Sequence, residues 1–319
     1  MSAHRFNRTG NMFKEITRQT TLQSAFERVR GNRGCAGVDG VTVEKFDERI
    51  KRNIDTLRSE LLMASYQPLP LLRILVDKGN GEARALSVPT VKDRVVQTAV
   101  LEITRPFFEA EFEQCSYAYR KGRSVKQAVY KISEYYADGY TWAVDADIDA
   151  FFDNVDHDVL IKKVKRIIKD KDIRRLITMW VKAEVWDGKS VETLKIGIPQ
   201  GSAISPILAN LFLDKFDEEL LRNGHKLVRF SDDFVILSRN REEAVNALKL
   251  TDRILDRLSL ELDEAEIVNF DDGFTFLGVT FIKSMTMVPF DKPKREKKIL
   301  HYPRPLNLPI YFLKKNKGW

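Results

Sequence analysis

The chain has 319 residues, 43% of them hydrophobic and 31% charged, which is enough for a substantial core in one large domain or two of ordinary size. Its apolar runs are short and broken by charges, which excludes a membrane span, and the N-terminal MSAHRFNRTGNMFK lacks the apolar stretch of a secretory signal. Cys35 and Cys115 lie far apart in sequence and are expected to be reduced, as in a cytosolic setting, while a net charge of +7 is compatible with a polyanionic partner.

Taken in order, residues 1–12 read as loose and Phe13 to Val29 as an amphipathic helix, closed by the glycine-rich RGNRGCAGVDG. Val43 to Met63 reads as a second helix, with Phe46, Ile50, Ile54, Leu57 and Leu61 at helical spacing, stopped by Tyr66-Gln-Pro-Leu-Pro70. Leu71 to Val88 reads as a β-hairpin around Gly79-Asn-Gly81, with Lys78 and Arg84 flanking the turn. A fork of guanidinium donors beside a point charge suits a triphosphate, although two cations on a hairpin are also ordinary decoration.

Thr90 to Phe108 is helical in pattern. Ser116-Tyr-Ala-Tyr-Arg-Lys-Gly-Arg-Ser124 is an aromatic and basic loop, suited to stacking on bases and to phosphate contacts and nearly as well to packing, and Val125 to Tyr136 is the next helix. Trp142 to Ile148 has strand character, and the period of two puts Asp145, Asp147 and Asp149 on one face. Three carboxylates so placed are costly unless solvated or bound to a cation, and periodicity does not say which is the ligand. Asp156 or Asp158 is expected to cap a helix over 159–169. The run 161–175, IKKVKRIIKDKDIRR, sets eight Lys or Arg against two Asp; basic surface beside clustered acids is what a metal-dependent enzyme acting on nucleic acid requires.

Leu194 to Pro206 reads as a strand, a glycine turn at Gly201 beside Gln200, and a helix start at Ser205-Pro206 that runs on to Leu220. Leu227 to Phe230 and Phe234 to Leu237 are β-rich runs meeting at Ser231-Asp-Asp233, a hairpin with two like charges at its tip. Crowded carboxylates become favourable around Mg²⁺, which takes one or two of them with other oxygens; the alternative is a solvated acidic turn. Arg241 to Leu260 reads as a helix, and Asn269 to Phe281 as a hairpin around Asp271-Asp-Gly273. The tail from Pro289 is basic and proline-punctuated, like a linker.

Eight stretches in this order, NRGCAGVDG, the counterpart of KPNGKxRPLGIP at 78–89, VKDRVVQTAV, SYAYRKGRS, DADIDAFFDNVDHD, GIPQGSAISPILANLFLD, RFSDDFVILS and FLGVTF, resemble the group II intron-type reverse transcriptases of prokaryotes over roughly residues 20–285. The resemblance implies an α+β right-hand polymerase: an N-terminal helical extension (1–64), fingers and palm (65–288) with an antiparallel palm sheet flanked by helices, and a basic tail (289–319), with no thumb after FLGVTF. It implies RNA-directed DNA synthesis with two Mg²⁺, or Mn²⁺ in their place, held at Asp147, Ile148, Asp232 and Asp233. The incoming nucleotide would meet Lys78, Arg84, Phe151, Phe152 and Gln200, with Phe152 as the bulky gate against a ribose 2′-hydroxyl. Arg120, Arg123, Gly201, Phe276 and Gly278 would lie along template and primer. The implied partners are an RNA template, a DNA or RNA primer and dNTPs; other readings are template-independent nucleotide addition in phage defence and a silent RNA-binding scaffold.

This chain departs from the family in carrying Phe-Ser before the aspartate pair, Asp77, Glu82 and Ala85 in the first hairpin, and Glu264-Ala265 where a Lys-Thr pair is usual. The tail from Pro303 to Trp319 resembles the opening strands of the CRISPR integrase, which implies spacer acquisition from RNA and an integrase partner.

Overall fold

The computed structural model describes residues 12–77, 82–287, 299–308 and 311–312. The first expected helix is two, α1 (Met12–Ile16) and α2 (Gln19–Gly31), because Arg18 between them is extended at φ −66° and ψ 137°. The second is likewise α3 (Val43–Asp47) and α4 (Ile50–Leu62), and the Phe46 carbonyl beside that break accepts a hydrogen bond from the Asn53 amide at 2.9 Å. The apolar stripe continues across both breaks, so spacing alone does not reveal them.

β1 (Leu71–Asp77) and β2 (Ala83–Val88) pair antiparallel from Leu72↔Val88 to Asp77↔Ala83, as the hairpin pattern predicts. Lys78 and the turn at 78–81 lie outside the described residues. Then follow α5 (Val91–Glu109), α6 (Val125–Ala137) capped by Ser124, β3 (Trp142–Ile148), α7 (Phe151–Asn154) and α8 (His157–Ile167). Of the two capping candidates Asp156 caps α8, accepting from the Val159 N–H at 2.8 Å. The basic run continues into α9 (Lys171–Val181).

The strand expected from Leu194 lies earlier, in β4 (Glu184–Trp186) and β5 (Val191–Thr193), which leaves 194–204 as an irregular approach to α10 (Ser205–Arg222). β6 (Lys226–Phe230) and β7 (Asp233–Ser238) form the acidic hairpin, and α11 (Arg241–Asp256) stops short of its expected end at Leu260. β8 (Leu262–Asn269), β9 (Phe274–Phe276), β10 (Val279–Ile282), β11 (Met285–Met287) and β12 (Ile299–His301) complete the described elements. The last expected hairpin is displaced. Asp271-Asp-Gly273 joins β8 to β9, and the tip is Leu277-Gly278, at φ +53° and +76°, the left-handed pair that a tight two-residue turn requires.

The elements gather into two compact units that interleave along the chain: Met1–Phe107 with Val164–Ser205 and Glu296–Trp319, and Phe108–Lys163 with Pro206–Arg295. The first unit holds a sheet of order β12-β1-β4-β5, with β2 also on β1, over a core of Val38, Leu72, Ile74 and Val76. Here the tail departs from the linker expectation. β12 pairs with β1 through Leu75↔His301 and Val76↔Ile299, the Trp186 indole donates to the Arg304 carbonyl at 2.9 Å, and Leu306 donates to the Val38 carbonyl at 3.0 Å. In the same unit Asp93 is buried, accepting from the Tyr66 hydroxyl at 2.6 Å, the Thr90 hydroxyl at 2.7 Å and the Leu69 N–H at 3.2 Å.

The second unit is built on an antiparallel sheet of order β6-β7-β3-β8, with a smaller sheet β11-β10-β9. One face buries Ala143, Val228, Val235 and Leu237 against Ala128 and Ile132 of α6 and a cluster containing Phe270, Phe274, Phe276 and Phe281. The other buries Val144, Ala146, Phe234 and Ile236, where Phe216 of α10 meets the Phe234 ring edge-on at 5.2 Å and α11 packs on β3 and β7. No helix among the described residues is long and apolar enough to cross a membrane.

Candidate active site

Side chains alternate along β3, so Asp145 and Asp147 project from the face that carries Ala143, beyond the part that α6 covers. Its ladder with β7 runs through Asp145↔Val235 to Ala146↔Phe234, and one further step of that register sets Asp147 opposite Asp233. β6 and β7 pair as far as Phe230↔Asp233, which leaves Ser231-Asp232 as a two-residue turn with Ser231 in the left-handed region at φ +69°. Long-range strand pairing thus gathers Asp145, Asp147, Asp232 and Asp233 from two separate stretches. Asp149 does not join them by the strand's period; it lies past the end of β3, exposed, with its N–H bonded to the Glu261 carbonyl at 2.9 Å.

The four carboxylates are half-buried, and among the described residues none of them has a basic partner. Burial, followed by the Asp232 charge, pushes Asp147 up to about 6, against a hydrogen bond from the Ile148 N–H that opposes the shift. Burial and then Asp147, Asp145 and Asp232 push Asp233 up to about 7; burial, Glu266 and Asp147 push Asp145 up to about 6. A group so arranged resists carrying all its charges at neutral pH unless a cation joins it.

A divalent ion fits this donor set. Among the described residues no three acidic, histidine or cysteine side chains close a metal site unaided. Mg²⁺ in enzymes of phosphate chemistry needs no such cage, since it takes one or two carboxylates and fills its shell with water and substrate phosphate. The Ile148 side chain is buried on the opposite face, so its backbone carbonyl is the group it could add.

The other expected site residues divide by what they touch. Phe152 is half-exposed, whereas Phe151 is buried between Phe152 and Phe212, with ring centroids at 5.5 and 6.1 Å, and belongs to the packing that holds Phe152 up. Arg84 is exposed on β2. The Gln200 carbonyl accepts from the Ser87 N–H at 2.7 Å; Gly201 sits at φ +113°, where an added Cβ would lie 2.9 Å from the Ser87 carbonyl oxygen. Gly201 is therefore a backbone requirement of that turn.

Two expected template contacts have side chains engaged within the fold. Arg120 is 6% exposed, with its guanidinium spent on Glu109 at 2.8 Å and on the Glu113 and Ser116 carbonyls at 2.6 and 2.9 Å. Phe276 is 1% exposed within the aromatic core, so only backbone is left to it. Arg123 is partly exposed, over the Tyr117 ring at 5.0 Å and bonded to Gln114, and Gly278 forms its hairpin tip. Sequence reasoning missed the buried Arg229–Asp217 pair behind the acidic hairpin. The signal available was a charge set among the apolar Leu227, Val228 and Phe230 of β6.

Residues 76–281 match the reverse transcriptase (RNA-dependent DNA polymerase) family. The chain is 31% identical to protein YkfC of Escherichia coli K12, across 86% of this chain and 84% of that one. It is also 31% identical to the group II intron-encoded protein LtrA of Lactococcus lactis subsp. cremoris, across 70% of this chain and 37% of LtrA. Among solved structures, a chain of a Cas6-RT-Cas1–Cas2 complex is similar at 28% identity with a TM-score of 0.49, covering 81% of this chain and 43% of that one. The chain thus spans most of YkfC and less than half of the other two.

Proposed function

Because the chain belongs to the reverse transcriptase family, the RNA-dependent DNA polymerases, we propose that Asp147 and Asp232 hold the divalent ions with which it extends a primer 3′-hydroxyl on an RNA template, Asp233 supporting them. The observation that carries this reading is the convergence of β3 and the β6–β7 turn, where the gathered carboxylates, after burial, raise the pKa of Asp147 and Asp233 and no basic group offsets them among the described residues. When bound, two Mg²⁺, or Mn²⁺ in their place, would sharpen the primer hydroxyl as a nucleophile and neutralise the departing pyrophosphate.

The chain's own residues supply position and exclusion. Phe152, braced by Phe151, presents a ring that clashes with a ribose 2′-hydroxyl and so favours dNTP over NTP. Lys78 and Arg84 grip the triphosphate; Arg84 is exposed and available for it. Gln200 and Gly201 lie along the template and nascent pair, in a turn that the absence of a Cβ at 201 lets pack against the Ser87 backbone. The partners of this reading are an RNA template, a DNA or RNA primer and dNTPs, in a prokaryotic cytoplasm. Its pathway is spacer acquisition beside a CRISPR integrase, supported by the tail sequence and tested by co-purification with an integrase of the same genome.

The test is dNTP incorporation on a primed RNA template with Mg²⁺. Asp147→Asn and Asp232→Asn should each remove about 10³-fold or more of the rate while the variants melt no lower than the wild type. Undiminished synthesis by either variant would overturn the assignment. An arm without template separates templated synthesis from nucleotide addition.

A further inference from the structure

Arg229, one residue from the end of β6, is among the largest side chains the protein buries completely, at 1% exposed. A guanidinium taken out of water must meet acceptors on every side, and this one does. Its Nε and Nη2 donate to the two carboxylate oxygens of Asp217 on α10 at 2.6 and 2.5 Å. Nη2 also donates to the Ser116 hydroxyl at 3.0 Å, and Nη1 to Asn210 Oδ1 at 3.2 Å. The remaining bond is Nη1 to the carbonyl of Ser231, at 2.7 Å. Backbone bonds add to the node: Arg229 N–H donates to the Cys115 carbonyl at 2.8 Å, Tyr117 N–H to the Arg229 carbonyl at 2.9 Å, and the Asn210 amide to the Ala118 carbonyl at 2.8 Å.

Three stretches singled out in the sequence, SYAYRKGRS, GIPQGSAISPILANLFLD and RFSDDFVILS, therefore share one buried charge. Its contact with Ser231 falls at the one residue of the hairpin tip whose backbone is strained, a non-glycine at φ +69°, immediately before Asp232. Such a conformation persists only where neighbours hold it, and the Arg229 donor is bonded to that residue's own carbonyl.

We propose that Arg229, neutralised by Asp217, is a positioning residue of the reaction: it clamps the Ser231 carbonyl, keeps the turn left-handed, and so fixes the direction in which Asp232 presents its carboxylate. This rests on the reading of Asp232 as a holder of divalent ions. The same ion pair would also stabilise the fold, so the experiment separates position from stability.

The double variant Arg229→Gln/Asp217→Asn removes both charges and leaves neither orphaned, and Arg229→Lys keeps a charge opposite Asp217 while losing the branched donor, giving a second background if the first does not fold. In a folded background we expect kcat to fall by about 10²-fold with little change in KM for dNTP. The Mg²⁺ concentration for half-maximal rate should rise about tenfold. Adding Ser231→Gly should then restore a large part of the lost kcat, because glycine adopts the left-handed turn without a clamp. Unchanged kcat and Mg²⁺ dependence in a folded background, or losses that glycine does not relieve, would overturn the proposal. An active Asp232→Asn enzyme would instead sink the underlying site reading, so the two failures are distinguishable.

Discussion

If Asp233 is held beside Asp147, Asp145 and Asp232 without a basic partner among the described residues, removing its charge should stabilise the metal-free protein while impairing synthesis. Burial and these neighbours raise its pKa from 3.8 to about 7, so the folded protein keeps a proton that the unfolded chain releases over this interval. Stability therefore falls as pH rises from about 4 to about 7, and the deficit is complete above that window. Two charges about 5 Å apart at an effective dielectric of about 20 repel by roughly 3 kcal/mol, and with Asp233 open to solvent on one side screening leaves about 1–2 kcal/mol. For a unit of this size that is about 2–8 °C in melting temperature. Asp233→Asn should thus melt higher than the wild type at about pH 8 in EDTA, lose that advantage near pH 4, and gain less from added Mg²⁺. Differential scanning fluorimetry across pH, with and without Mg²⁺, reads all three. A variant that melts lower at pH 8 in EDTA, or whose difference ignores pH, would refute the electrostatic account of the site.

Replacing Phe152 with valine should leave dNTP incorporation within about tenfold while raising the NTP-to-dNTP selectivity ratio by about 10–10²-fold, read from single-nucleotide extension with each substrate. Gly201→Ala places a Cβ 2.9 Å from the Ser87 carbonyl oxygen at φ +113°, and the strain should cost about 1–3 kcal/mol, seen as a lower urea midpoint. Asp93→Ala leaves the Tyr66 and Thr90 hydroxyls and the Leu69 N–H without their acceptor, and should destabilise by about 2–4 kcal/mol in the same assay.

The strands that carry the acids were legible because their residues are: β3, β6 and β7 are dense in β-branched and aromatic side chains, with the period that a half-buried sheet imposes. What could not be read was pairing. Which of Asp145, Asp147 and Asp149 meets the hairpin depends on a β3–β7 register set about 90 residues along the chain, and local pattern carries no such information. The turn at Asp271-Asp-Gly273 looks like a hairpin tip by composition, yet the actual tip is Leu277-Gly278, where aromatic pairing of β9 with β10 fixes the turn despite a leucine at φ +53°. The broken N-terminal helices kept an unbroken stripe, and Arg229 gave no sign of its partner twelve residues upstream on another element. Arg120 and Phe276 show the converse: motif residues whose side chains are consumed in holding the scaffold.

β8 escaped notice for a reason that bears on the chemistry. Leu262-Asp-Glu-Ala-Glu-Ile-Val-Asn269 has few apolar residues because it is an edge strand, paired with β3 on one side only, and its exposed Asp263, Glu264 and Glu266 discourage another strand from adding there. The same charges act inward. Glu266 stands opposite Asp145 in the ladder and, after burial, is the largest cause of its raised pKa, while Asp263 contributes to that of Asp147. Glu264, where the resemblance leads one to expect a lysine, adds to the negative charge of this edge. A carboxylate there cannot serve as a cationic acid toward a leaving pyrophosphate. Balance at the site then falls to the divalent ions and to cations outside β8, so bound ions would relieve a repulsion that the pairing of β3 with β7 builds into the fold.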